Sequence, residues 1–294
     1  MVVQNSLRAW MLAARPKTLT GAAVPVMIGC ALALSDDGFS PLPAVLCLLF
    51  AFLMQVDANL INDLFDHLKG SDGEDRLGPE RACAQGWITP LAMRRGIALC
   101  TAVAATVGCG LLASGGWAML PVGVGCLLFA FLYTAGPYPL AYHGWGDLLV
   151  LVFFGFVPVG CTYYVQCGTW SWQVAAASAA CGLVIDTLLM VNNFRDREQD
   201  ARNGKRTLVV RFGAVVGQRL YLGLGVAAVG CSALLLFGGE VWAALLPLAY
   251  LPFHVHTWRR MVQIARGREL NAILGATSRN ILLFGALLSL GLLL

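Results

Sequence analysis

The chain has 294 residues, 58% of them hydrophobic and only 12% charged, with a mean hydropathy of +0.72. A soluble domain carries about 25% charged residues, and no water-soluble core of this length absorbs so much apolar side chain, so lipid is the solvent for most of the surface. The net charge of +4 excludes little by itself; where the charges lie says more.

The first apolar run has no small-residue cleavage site and is followed by many others, so no secretory signal is expected. A span needs about 20 mostly apolar residues. In chain order, candidates fall near 18–35, 41–61, 95–114, 117–135, 147–166, 172–192, 217–237, 240–257 and 276–294. The expected fold is an all-α integral membrane protein. It forms one intramembrane domain over residues 1–294, with about nine transmembrane helices in a single bundle.

Lys and Arg resist translocation and so mark the cytoplasmic side. With a cytoplasmic N-terminus, the inner segments are the N-terminal arm and the loops after predicted helices 2, 4, 6 and 8. All 20 Lys and Arg then lie inside, and the outer loops "SDDGFS", "SGGW", "QCGTWSW" and "FGGE" contain none. One misassigned helix would scatter these charges. The span count and the orientation therefore support each other.

Two polar patches follow even-numbered spans on that face: "NDLFDHLKGSDGEDRLGPER" from Asn62 and "NNFRDREQDARNGKRTLVVR" from Asn192. Asn62, Asp63 and Asp66 recur 130 residues later as Asn192, Asn193 and Asp196, a weak internal duplication. Helical periodicity places Asn59, Asn62, Asp63 and Asp66 on one face, and Asp186, Asn193, Asp196 and Asp200 on another. Carboxylates stacked in this way repel one another unless a cation lies between them. Two such faces opposed across a bundle suit Mg²⁺, which takes one or two carboxylates plus substrate phosphates. The neighbouring Lys69, Arg76, Arg81, Arg195, Arg202, Lys205 and Arg206 favour a polyanion such as diphosphate. The plainer alternative is a pair of solvated inner loops with positive-inside arginines.

Other residues carry weaker signals. Arg15 and Lys17 in "ARPKT" suit either an anion or simple anchoring. Tyr133 suits an aromatic ligand or a membrane interface, and Asp147 suits a helix cap or, less strongly, a base that takes a proton from a bound ligand. Asp57, inside the second span, demands a buried partner that the sequence does not name. His254, His256 and Trp258 read as interfacial. The ten cysteines lie singly in apolar runs and read as packing residues. Gly21, Pro25, Gly29, Gly155, Pro158 and Gly160 suit close helix packing and kinks.

On "NDLFD" (Asn62, Asp63, Asp66) and "DREQD" (Asp196, Asp200) the sequence resembles the UbiA superfamily of intramembrane prenyltransferases, which has nine transmembrane helices and two Asp-rich motifs. Where the first motif has its third Asp, this chain has Gly70, and Asp72 comes two residues later. "ARPKTLTGAAVPVMIG", "YTAGPYPLAYHGWGDLLVLVFFG" and the two patches together resemble the branch that acts on 1,4-dihydroxy-2-naphthoate. Relatives often carry Lys or Arg in the loop after helix 4. Here Tyr138, Tyr142 and His143 stand there without one, so the cations for a diphosphate must come from elsewhere.

The resemblance implies Mg²⁺-dependent transfer of a polyprenyl group from its diphosphate to 1,4-dihydroxy-2-naphthoate. Carbon dioxide and diphosphate are lost, and the product is demethylmenaquinol, in menaquinone synthesis at the cytoplasmic face of a bacterial inner membrane. It implies metal ligands at Asn62, Asp66, Asp196 and Asp200, with Asp63 in the catalytic set. Lys17, Lys69, Arg76, Arg81, Arg195, Arg202 and Lys205 fall to the diphosphate, and Arg15, Tyr133, Asn193 and Asp72 to the acceptor. No nucleic acid or protein partner is implied. Sister enzymes acting on 4-hydroxybenzoate, homogentisate, haem or chlorophyllide remain open, as does a secondary transporter. A CDP-alcohol phosphotransferase ranks lower, because its DGxxAR run is absent.

Overall fold

The computed structural model describes residues 2–71 and 76–294; Asp72 lies outside the described residues. Within them the chain is helical, with no strand. Helix α1 (Leu7–Ala14) is followed by α2 (Leu19–Ser35), α3 (Pro41–Leu68), α4 (Pro90–Gly115) and α5 (Met119–Thr134). Helix α6 (Gly146–Val150) continues through a π-helical stretch, Leu151–Phe156, into α7 (Val157–Cys167). The second half contains α8 (Trp172–Arg202), α9 (Leu208–Phe212), α10 (Ala214–Ala233), α11 (Val241–Leu245), α12 (Leu251–Ile264) and α13 (Leu270–Leu292).

The helix starts follow local chemistry. Thr89 accepts from the Ala92 amide with Pro90 at the first helical position, and Ser171 accepts from Val174 to open α8. Both satisfy amides that lack a partner within the helix. Gly168 ends α7 in the left-handed conformation, which glycine adopts without a Cβ clash.

Seven segments of the described residues are long and apolar enough to cross a membrane. All nine predicted spans fall on helices, and the two counts differ for local reasons. Pro90–Thr134 is one of the seven segments, yet the chain turns at Gly116 (φ 63°) and α4 packs back on α5. It therefore holds two of the predicted spans. The predicted span 240–257 corresponds to α11, a 3₁₀ stretch (Leu246–Tyr250) and α12. Pro247, Pro252, His254 and His256 dilute its apolar character, and it is absent from the seven.

Helix α8 is the innermost of the set, and it packs against α10, α13 and the α6–α7 unit. Its inner half is small: Ala176, Ala177 and Ala180 are buried. A Cβ added at Gly155 would lie 2.5 Å from the Ser178 carbonyl, and one at Gly182 would lie 2.9 Å from the Leu151 carbonyl. Backbone thus meets backbone where α8 crosses the π-helical stretch, the close approach that small residues permit between helices in lipid. This contact sets the height of the α6–α7 unit against α8.

Candidate functional site

Helical periodicity alone places Asn59, Asn62, Asp63 and Asp66 on one face; the structure divides them into two stripes. The Asn59 amide donates to the Ala14 carbonyl and to Thr18 Oγ1, both at 3.0 Å. Asp63 accepts from the backbone amides of Ala82 and Cys83, each at 2.9 Å, and its Oδ2 lies 3.9 Å from Arg15 Nη2. This stripe binds the "ARPKT" arm and the turn after Arg81 to α3. Asp63, expected in the catalytic set, is buried with both oxygens on backbone amides; its geometry is that of a loop anchor. Arg15, expected at the acceptor, leans on this anchor, and Lys17 is exposed.

The other stripe faces the site. Asn62 Oδ1 accepts from the Thr134 hydroxyl at the end of α5. Asp66 is 4% exposed; Arg81 Nη2 donates to its Oδ2 at 3.1 Å and the Tyr142 hydroxyl to its Oδ1 at 3.3 Å. At about 100° per residue, Asn62 and Asp63 point about 100° apart. Four polar residues within one broad arc can therefore serve two neighbours.

The loop that follows is tied to the second half of the chain. Gln199 and Asn203, at the end of α8, donate to the Ser71 carbonyl at 3.2 and 3.3 Å. Asn271 on α13 donates to the Leu77 carbonyl at 2.9 Å, and Arg268 donates to the Arg76 carbonyl at 3.3 Å. Arg76 itself donates to the Pro79 carbonyl. The two polar patches, far apart in sequence, thus form one surface at one end of the bundle.

Tyr142 stands at their junction. Its hydroxyl bonds Ser71 Oγ at 2.9 Å as well as Asp66, and its carbonyl accepts from the Arg206 amide at 2.8 Å. The ammonium groups of Lys69 and Lys205 lie 4.5 and 4.8 Å from its ring centroid, within cation–π range. The loop after α5 has no cation of its own, and the fold brings it one lysine from each patch. Burial draws the Lys69 ammonium below the usual lysine range, with Asp66 opposing and Lys205 assisting. Burial also pulls on Lys205, but Asp66, Asp200 and Tyr142 outweigh it and its pKa rises. Burial raises the Tyr142 phenol, against the pull of Lys205, so the phenol stays protonated and can donate to Asp66.

On α8, Asp200 Oδ1 lies 3.7 Å from Lys205 Nζ. Arg195 grips both oxygens of Asp196, at 2.7 and 2.6 Å, and donates to Asn271 at 2.8 Å. Its side chain also abuts Gly78, where an added Cβ would come within 2.9 Å of Nη2. Arg195 is therefore buried as a brace between α8, α13 and the first-patch loop. Asn193 is buried, Asp196 is half-buried, and Arg202 is exposed at the end of α8. Among the described residues no three His, Cys, Asp or Glu side chains converge as a metal cage. The donor set fits a different binding mode, in which Mg²⁺ takes one or two carboxylates and completes its shell with water and substrate phosphate. Asp66 and Asp200, oxygen donors flanked by Arg81 and Lys205, match that mode.

A second acidic cluster lies deeper. A Cβ on Gly146 would come within 3.5 Å of Tyr133 Oη and 3.2 Å of Leu189 Cδ2, so the end of α5, the start of α6 and α8 meet there. Tyr133 is within electrostatic reach of Asp147, Asp186, Asp66 and Asp200. Elsewhere, Asp57 receives the Thr101 hydroxyl at 2.7 Å, the partner the sequence did not name. His254 is buried between the Tyr250 hydroxyl and the Leu222 carbonyl, as part of a packing network and not at an interface. Sequence reasoning missed Tyr142, Ser71, Thr134, Gln199, Asn203 and Asn271 as parts of the site. Only Tyr142 had a signal, as an aromatic in an inner loop without Lys or Arg.

A polytopic helical bundle with paired acidic and basic side chains at one end defines a membrane protein with a polar site beside lipid. Comparison narrows the class: the UbiA prenyltransferase family model matches residues 22–290, and the chain belongs to that family. It is an integral membrane protein. A Haemophilus influenzae protein named 1,4-dihydroxy-2-naphthoate octaprenyltransferase is 36% identical, over 100% of this chain and 98% of its own. The Escherichia coli protein of the same name is 36% identical over 98% and 96%. The same name is carried by a Mycobacterium tuberculosis protein that is 35% identical over 82% of each chain. In fold, the chain resembles the structure of a UbiA homologue from Archaeoglobus fulgidus, with TM-score 0.66 and 18% identity over 96% of this chain and 99% of that one. The same homologue bound to GPP and Mg²⁺ matches with TM-score 0.61 and 17% identity over the same shares.

Proposed function

We propose that this protein transfers a polyprenyl group from polyprenyl diphosphate to 1,4-dihydroxy-2-naphthoate, releasing carbon dioxide and diphosphate and giving demethylmenaquinol for menaquinone synthesis. The observation that carries the reading is the junction at Tyr142, where Asp66 and Lys69 of one patch meet Lys205 and Asp200 of the other. Full-length relatives named for this reaction support the choice of acceptor.

In this reading Asn62, Asp66, Asp196 and Asp200 would hold Mg²⁺ together with the diphosphate. Lys69, Lys205, Arg81 and Arg202 face the departing diphosphate, with Lys17 and Arg76 at the rim. Arg195 and Asp63 act through the braces described above. Bound Mg²⁺ supplies charge neutralisation of the leaving diphosphate. The cationic side chains stabilise the same developing charge. An apolar bundle shelters the allylic cation from water, and the prenyl tail leaves between helices toward lipid. Tyr133 and Asn193 lie toward the acceptor. A cytoplasmic N-terminus, nine crossings and a site on the cytoplasmic face of the bacterial inner membrane complete the proposal, supported by the one-sided distribution of Lys and Arg.

The test incubates the protein in membranes with 1,4-dihydroxy-2-naphthoate and labelled prenyl diphosphates of several lengths, and identifies the lipid product by mass. The expected product is the decarboxylated prenyl naphthoquinol with stoichiometric diphosphate. A ligand that crosses the membrane chemically unchanged would make the protein a transporter.

A further inference from the structure

Asp186 is 4% exposed and its Oδ1 has no hydrogen-bond partner; the Oδ1 of Asp147 is likewise buried without one. The two carboxylates interact electrostatically, and among the described residues neither is in a salt bridge. The backbone contact of Gly155 with Ser178 and Gly182 seats the α6–α7 unit on α8, and Gly146, next to Asp147, lies against Leu189 of α8. Tyr133 packs on Gly146, beside Asp147, and is in electrostatic reach of both acids and of Asp66 and Asp200 above them. Asp186 precedes Asp196 by ten residues on α8, about 15 Å at the usual rise. Leaving buried carboxylates unsatisfied in a packed interior is costly, which calls for a polar ligand.

We infer that Asp147 and Asp186 form a proton-carrying pair that receives, and then returns, a ring-hydroxyl proton of the aromatic acceptor, with Tyr133 lining the same recess. The inference rests on the prenyl-transfer reading above. As the allylic C–O bond breaks, its electron pair leaves with diphosphate. The ring carbon bearing the carboxylate forms the new C–C bond, and the flanking hydroxyl gives its proton to the carboxylate pair and becomes a ketone. The resulting β-keto carboxylate loses carbon dioxide. The released electron pair restores the aromatic ring, and the ring oxygen takes the proton back from the pair. Acceptor carboxylate and prenyl diphosphate give quinol, carbon dioxide and diphosphate with no net proton, so the pair needs no exit to water.

The experiment uses the full-length protein in lipid nanodiscs with Mg²⁺ and the prenyl diphosphate that the wild type turns over best. Asp186→Asn and Asp147→Asn are expected to lower kcat by about 100-fold or more, with prenyl diphosphate Kd held within about threefold. With an acceptor whose hydroxyl is acidified by a neighbouring fluorine and already ionised, the loss should shrink at least about tenfold, since no proton then needs removal. Three results would overturn the inference: turnover within about threefold of wild type, the same loss for both acceptors, or loss of prenyl diphosphate binding in the Asn variants and in Asp186→Glu and Asp147→Glu alike. The last would make the pair purely structural. If the wild type rejects 1,4-dihydroxy-2-naphthoate but prenylates another hydroxylated aromatic acid, the choice of acceptor fails. The comparison is then read on that acid, so the two failures are distinct.

Discussion

The side-chain amide of Gln199 donates to the backbone carbonyl of Ser71 at 3.2 Å, across 128 residues of chain. Asn203, just past the end of α8, donates to the same carbonyl. One oxygen thus latches the loop after the first Asp-rich segment to the helix that carries the second. The latch makes the two segments one site, because it sets Asp66 and Asp200 over a common mouth with Tyr142 between them.

Asp66→Asn keeps the size of the side chain and removes its charge. Transfer should fall by at least about 100-fold while the protein still inserts into membranes. Turnover near the wild-type rate, measured on membranes with matched amounts of protein, would remove Asp66 from the metal site.

Metal removal is a separate test. Treatment with EDTA should stop product formation, and added Mg²⁺ should restore it, because one or two carboxylates hold the ion only together with substrate phosphate. Turnover that persists in chelator would exclude a divalent ion from the reaction.

Tyr142 separates two effects. Tyr142→Phe removes the hydroxyl that meets Asp66 and Ser71 but keeps the ring between Lys69 and Lys205. The loss of about 1 kcal/mol of hydrogen bonding should raise the KM for prenyl diphosphate about fivefold. Tyr142→Ala removes the ring as well and should raise it further. Equal effects of the two substitutions would show that the ring does not position the lysines.

Asp63→Ala leaves the amides of Ala82 and Cys83 without their acceptor in a buried setting. The cost should be about 3 kcal/mol, from two hydrogen bonds to a charged group, read as a lower unfolding midpoint in detergent. Asp66→Ala should lower activity far more than stability. If Asp63→Ala unfolds like the wild type and only its turnover falls, Asp63 belongs with the metal ligands.

Much of the site could be read in the sequence because it is local. Asn62 and Asp66 are four apart on one helix, and Asp196 and Asp200 repeat that spacing; the 3.6-residue turn then puts each pair on one face. The same periodicity could not separate Asp63 from Asp66, since both lie in one broad arc. The neighbours that divide them, the 82–83 amides and Tyr142, belong to other parts of the chain. Arg195 shows the same limit. An arginine beside an acidic patch suggests an anion site, and only the fold shows that its guanidinium also bonds Asp196 and Asn271.

Sequence by itself determined that the chain is a bundle of lipid-embedded helices and that two acidic, basic-flanked helix ends share a face. Hydropathy and periodicity are properties of consecutive residues, and lipid enforces them. Only tertiary structure decided which polar groups meet: Ser71 with Gln199, Tyr142 with Lys69 and Lys205, Asp63 with the amides of Ala82 and Cys83. Those partners come from separate parts of the chain, and the heights of the helices are set by backbone contacts such as Gly155 on Ser178, which no local pattern encodes.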